Sequence, residues 1–351
     1  MKHKRTASGH VGIFISILLV IIILVVAFVF VVRRQADTSS SSKDADAIEE
    51  VAVELKGLSF SPKSLSGSNI SDFFEKAEVL DGAVTWAGDW NDLSKSSGGP
   101  SLVISKSEKA GLLPITIATT HTDAGQGKVK AIRPLTNEQT ESYAQMAADF
   151  AADNKPTYMG LGIEVNRIYE SSISDYQWFV GLFNKSVLAI HEASADTKVF
   201  TTFQLERLKG LKGGLFGGQN DENVNDWNLL NDFSSADLLG FTSYPGLIYH
   251  SPVDMPSDYY SSITTHTSKP VLFSELGWPS GDVATGWNST SELQRQFVAR
   301  FFELTVGVES RVNVWSFLYD PETVVPFNTM GMFSSGGTER AAWQEFIDSK
   351  K

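Results

Sequence analysis

Two glutamates are placed where chemistry can be done. Glu275 closes the apolar run PVLFSEL (270–276) and is delivered straight into a Gly-Trp-Pro turn, and Glu164 closes a second run, TYMGLGIEV (157–165). Two carboxyl groups on one site can divide the work of cleaving a C–O bond. One, protonated, donates to the leaving oxygen, while the other, ionised, attacks carbon, and their surroundings must hold their pKa values apart. Other apolar runs end in Trp86 and Asp89, in His121, in Asn166 and Arg167, in Gln204, Glu206 and Arg207, in Tyr244, in Trp278, and in Trp315. Carboxylates, aromatic rings and amide or hydroxyl donors together are the makings of a carbohydrate site. Trp86, Asp89, His121, Asn166, Gln204, Tyr244, Trp278 and Trp315 are its substrate-binding candidates, Trp315 the leading platform. Each of the three tryptophans would serve equally as core. Glu164 has an alternative as an ion pair with Arg167, and Glu206 as a structural pair with Arg207 or a contact to the leaving sugar. The chain has no Cys, its 6 His are scattered, and no HExxH occurs, so no metal and no organic cofactor is expected.

Such residues need a frame that brings distant run-ends together. Eight short runs rich in β-branched and aromatic residues alternate with helical stretches: VELKGLSFS around Leu58, GAVTW (82–86), LPITIAT (113–119), TYMGLGIEV, KVFTTFQL (198–205), DLLGFTSY (237–244), PVLFSEL and VNVWSFL (312–318). Helices are expected at 71–80, 101–111, 141–154, 176–193, 225–233, 258–266, 291–307 and 339–350. Strict alternation of this kind predicts an α/β protein, a (β/α)8 TIM barrel, whose working residues sit at the C-terminal ends of the strands. A doubly wound sheet would want a Gly-rich phosphate loop after an early strand, and GLSFSPKS is not one. The glycines of GLKGGLFGG (210–218) follow the fifth strand and read as a mobile loop.

Four segments resemble known enzymes. LFSELGWPSG (272–281) is similar to the nucleophile segment of family 17 glycoside hydrolases, the β-1,3-glucanases. FTSYPGL (241–247) resembles the strand-six Tyr-Pro segment of that family and of the family 53 β-1,4-galactanases. GIEVNR (162–167) occupies the place of the acid/base motif on strand four, and WSFLYD (315–320) resembles the strand-eight segment that lines the innermost sugar subsite. The resemblance is to clan A, the 4/7 superfamily. It implies a retaining glycosidase or transglycosylase acting on a β-linked polysaccharide or oligosaccharide, with Glu164 as acid/base, Glu275 as nucleophile and Tyr244 bonded to Glu275. The clan's Asn before the acid/base glutamate is here Ile163, and alternation along a strand would let Asn166 take over its contact. That departure is also the ground for an alternative, an inactive barrel that only binds carbohydrate at the cell surface.

Val11 to Val32 carries no charge and is long enough to span a bilayer, which takes about 20 apolar residues. Lys2, Lys4 and Arg5 precede it and Arg33 and Arg34 follow, with no small-x-small cleavage site, so a signal anchor is expected rather than a cleaved leader. The organisation read from this is a cytoplasmic N-terminus (1–10), a transmembrane anchor (11–32), a flexible Ser-rich linker (33–50) and the barrel (51–351), monomeric and displayed outside the cell. Formal charge is −12 with five cations and no acid in the first 34 residues, so everything after them is more acidic still. An acidic body repels polyanions and excludes a nucleic-acid partner.

Overall fold

The computed structural model describes residues 54–123, 129–131, 136–321 and 324–349. The expected anchor, with its flanks and linker, lies outside them. Among the described residues, no helix is long and apolar enough to cross a membrane.

Strands buried on both faces are mostly apolar on both, and so are these, with Thr, Ser, Gln and Asn at their buried polar places. Eight of them, β1 (Leu55–Ser59), β2 (Ala83–Asp89), β3 (Leu113–Thr119), β4 (Tyr158–Leu161), β5 (Lys198–Gln204), β6 (Leu238–Ser243), β7 (Val271–Leu276) and β8 (Ser310–Trp315), close into a barrel in sequence order. Every neighbouring pair is parallel, including β1 with β8. One face packs the interior, where Ala83, Ile115, Ile117, Phe200, Leu238, Leu272, Val312 and Val314 form one cluster. Phe200 fits because its neighbour on β4 is Gly160, where a Cβ would stand 2.8 Å from the ring. The other face joins the larger cluster beneath the helices, which holds Leu58, Val84, Trp86, Phe203, Phe241, Phe273 and Trp315.

The helices are α1 (Gly67–Ala77), α2 (Gly99–Lys109), α3 (Asn137–Asn154), α4 (Val165–Ser171), α5 (Ile173–Ala193), α6 (Leu205–Leu208), α7 (Ser291–Leu304) and α8 (Ala341–Asp348). Side-chain caps start several of them: Ser66 for α1, a Thr136–Gln139 capping box for α3, Ser172 for α5 and Thr290 for α7. The helices expected at 225–233 and 258–266 are instead 3-10 turns, Trp227–Phe233 and Ser261–Thr265. Their Asn, Asp, Ser and Thr side chains compete for backbone groups, as where Thr264 and Thr265 donate to the carbonyls of Ser261 and Ser262. Tyr259 and Tyr260, both fully buried, fill the space behind β6 and β7.

The fourth strand is shorter than expected. It stops at Leu161, Gly162 turns with φ +87°, and Glu164 begins α4 in the left-handed region at φ +49°. The glycine loop is also more fixed than the sequence suggests. Gly213 N–H donates to Asn220 Oδ1 (2.7 Å) and Gly218 N–H to the Lys212 carbonyl (2.7 Å). Phe216 from this loop covers the Arg207 guanidinium, 4.9 Å from its ring centre.

Candidate active site

What aims Glu275 is a break in register. On β7, Leu272 faces the interior and Phe273 the helices, so strict alternation would turn Glu275 outward. Instead Phe241 pairs with Phe273 while the next residue of β6, Thr242, pairs with Glu275, leaving Ser274 as one extra residue. The same slip is visible against β8, where Asn313 pairs with Phe273 and Trp315 with Leu276. This β-bulge restores the inward face to Glu275 and the outward face to Leu276.

Tyr244 follows β6 and donates its hydroxyl to Glu275 Oε2, with Ser316 Oγ 2.9 Å from the same phenol oxygen. Burial first, and then the Glu275 charge, push the Tyr244 pKa well above that of an ordinary tyrosine. The Glu275 side chain keeps a little surface in the cleft, yet its carboxyl is largely desolvated, which lifts its pKa to about 7. The like charge of Glu164 adds to the rise, and the Tyr244 hydrogen bond opposes it.

Glu164 reaches the same place from the other side. Its Oε1 accepts from Thr242 Oγ1 (2.8 Å), its Oε2 lies 3.2 Å from Arg167 Nη1, and its backbone N–H donates to Thr202 Oγ1 (2.9 Å). Thr242 therefore links the two glutamates, in register with one and bonded to the other. Burial drives the Glu275 carboxyl towards its neutral form, and the Glu164 carboxyl stands 3.2 Å from the Arg167 guanidinium.

The remaining candidates divide. Gln204, with one buried amide oxygen unpartnered, continues the inward alternation of Phe200 and Thr202. Asn166 does not face Glu164's partners. It lies on α4, because β4 has already ended, and its amide exchanges two hydrogen bonds with the Gln204 backbone (2.9 and 3.0 Å). Its proposed substitution for the missing Asn therefore fails on geometry: Ile163 packs against the interior cluster and Asn166 ties α4 to β5. Trp315 alternates with the inward Val312 and Val314, so it faces the helices, packs near Phe297 and Phe346, and donates its indole N–H to the Met330 carbonyl. Trp278 stacks on Phe297 and donates to Ser289 Oγ. Trp86 lies in the outer cluster, Asp89 caps the turn Trp90–Ser94, and His121 packs edge-on against Phe179 of α5, where burial lowers its pKa to about 4. None of these five belongs to the hydrogen-bond network of Glu164 and Glu275.

Three hydroxyls that no sequence motif marks, those of Thr202, Thr242 and Ser316, complete the site. The half-buried rings Phe216, Phe317 and Phe327 cluster with Tyr244, Leu247 and Met330. The Phe327 ring meets Tyr244 edge-on at 4.9 Å. Alternation from the inward Phe200 and Leu238 would have found Thr202 and Thr242. Nothing local marks the phenylalanines. Glu206 is separate from Arg207, which pairs with Glu170. Among the described residues no cluster of ligating side chains could hold a metal ion.

No protein-family model matches this chain, and no curated protein matches it. Solved structures do. The family 53 catalytic domain of Ignisphaera aggregans superposes with TM-score 0.59 at 14% identity, covering 84% of this chain and 96% of that one. A psychrophilic family 10 endo-β-1,4-xylanase gives 0.57 at 11% identity, covering 85% and 97%. A family 39 glycoside hydrolase from the gut symbiont Bacteroides cellulosilyticus WH2 gives 0.56 at 14% identity, covering 83% of this chain but only 62% of its own length. The chain has the (β/α)8 barrel fold of these glycoside hydrolases. Family 53 is one of the two families that its strand-six Tyr-Pro segment resembles.

Proposed function

We propose that this chain is a retaining glycoside hydrolase or transglycosylase of β-linked glycans, with Glu275 as nucleophile and Glu164 as acid/base. The observation that carries the reading is the convergence of the two glutamates, from the ends of the fourth and seventh barrel strands, on Thr242. Ionised Glu275 attacks the anomeric carbon as Glu164 gives its proton to the departing glycosidic oxygen. Glu164, now a carboxylate, then takes a proton from water or from a second sugar hydroxyl, which displaces Glu275 from carbon. Positive charge growing on the sugar ring favours ionised Glu275, which offsets the burial that raises its pKa. Phe216, Phe317 and Phe327 give the cleft an apolar rim on which the C–H face of a pyranose can rest. The apolar run 11–32 supports display of the barrel outside the cell on a membrane anchor.

A binding-only barrel is the second reading, favoured by the apolar Ile163 beside the pair and by Arg167 on Glu164. Activated 2-deoxy-2-fluoro β-glycosides separate the two. A covalent adduct mapped to Glu275 by peptide mass spectrometry is expected. Glycan binding without any adduct or turnover across a panel of such sugars would leave only the binding module.

A further inference from the structure

Behind Tyr244 lies a carboxylate that the proposed chemistry does not use. Glu206 opens α6 and is fully buried. One of its oxygens, Oε1, accepts three hydrogen bonds: from Tyr259 OH (2.8 Å), Ser243 Oγ (2.9 Å) and the backbone N–H of Tyr244 (3.0 Å). The other, Oε2, is buried without a partner. A buried carboxyl is costly to desolvate, so an arrangement that aims three donors at one oxygen needs a reason beyond packing. All three donors lie on or against the residues that present the Tyr244 phenol to Glu275.

We propose that Glu206 is a positioning residue for Glu275. Its Oε1 fixes the Ser243–Tyr244 backbone and thereby the direction of the Tyr244 hydroxyl that Glu275 accepts. The inference rests on the reading of Glu275 as the nucleophile, but its geometry is independent of the substrate. Tyr244 and Tyr259 bond to Glu206 directly, and Tyr260, bonded to Ser243, feels its charge. Lys209, bonded to the Tyr259 carbonyl, lies close enough to feel its charge, as does Tyr249, with Glu222 and Asp258 beyond. Burial lifts the Glu206 pKa to about 7, and the three donors restrain that rise.

The test is a 13C NMR titration of the full chain labelled at glutamate Cδ, with the Glu275 resonance assigned by its loss in Glu275→Gln. Tyr244→Phe removes the hydrogen bond that stabilises ionised Glu275, so its midpoint rises, by about half a pH unit or more. Glu206→Asp retracts the acceptor by one C–C bond, about 1.5 Å, and shifts Glu275 in the same direction. Glu206→Gln keeps a carbonyl oxygen for the three donors and leaves the midpoint in place. Adding Glu206→Asp to Tyr244→Phe gives no further rise. An unchanged Glu275 midpoint in Glu206→Asp, with the expected rise in Tyr244→Phe, overturns the proposal even if stability falls. A shift in Glu206→Gln with none in Glu206→Asp overturns it too, because charge, which only the Gln variant loses, rather than position would then be acting. Failure of the glycosidase reading would look different: these shifts would persist while no fluoro-sugar labelled Glu275.

Discussion

The Thr242 hydroxyl donates to Glu164 Oε1 at 2.8 Å from a residue that stands in register with Glu275 across the β6–β7 pair. One threonine therefore sets the spacing of two carboxyls that come from strands far apart in sequence. Thr242→Val keeps the shape and removes the donor. We expect kcat/KM on an aryl β-glycoside to fall by about 10- to 100-fold, the scale of a lost orienting hydrogen bond and a misplaced proton donor. Stability, followed by urea unfolding, should change by no more than about 1.5 kcal/mol.

The buried Glu275 makes a prediction about stability and pH. Its pKa is about 7 in the folded protein, against 4.5 for an ordinary glutamate, so the folded state holds more protons between those values. Folding must then weaken as pH rises through that window. Glu275→Gln removes the titration. The variant should match the parent near pH 4 and exceed it by on the order of 2 kcal/mol at pH 8, a value trimmed for the water that still reaches the cleft. Thermal unfolding of both proteins across that range checks the sign, and a difference that shrinks with rising pH would falsify the assignment of a raised pKa.

Glu164 occupies a backbone conformation that L side chains resist. Glu164→Ala and Glu164→Gly both remove the carboxyl, but only glycine relieves the left-handed strain. The glycine variant should be the more stable of the two, by about 1 kcal/mol, despite its greater chain entropy when unfolded. Equal stabilities would mean the strain is not there.

Trp315 and Phe327 should respond in opposite ways to truncation. Trp315→Phe loses the bond to the Met330 carbonyl and opens space under the helices, which should cost about 1–3 kcal/mol with KM little changed. Phe327→Ala, at the half-buried rim, should raise KM several-fold at modest cost in stability. Parallel denaturation and steady-state kinetics read both effects.

The barrel was legible in the sequence because parallel strands covered on both faces are mostly apolar on both. LPITIAT is a strand at the bounds read for it, Leu113–Thr119. The segments after β5 and β6 misled because their apolar spacing is helical while their Asn, Ser and Thr side chains favour tighter turns. Counting alternate residues from Val312 would have turned Trp315 away from the cleft. The same count would have turned Glu275 away as well, since a bulge leaves no mark in residue type. The apolar pattern puts Asn166 on a strand that runs past Gly162, whereas the chain turns there to begin α4.

Ser274 gives β7 something like a reading frame. A strand is a two-letter message, in and out, and one inserted residue rewrites every later letter without altering any of them. Flattening the bulge, so that Ser274 took Glu275's place opposite Thr242, would be a frameshift in this sense. It would send Leu276 into the cleft and the carboxylate under the helices, although the composition of the segment would be the same. The loop beyond, from Gly277 onward, can lengthen or shorten without changing that frame. Substrate preference in such a barrel is therefore free to drift by insertions in its loops, while the bulge that absorbs Ser274 has to be kept.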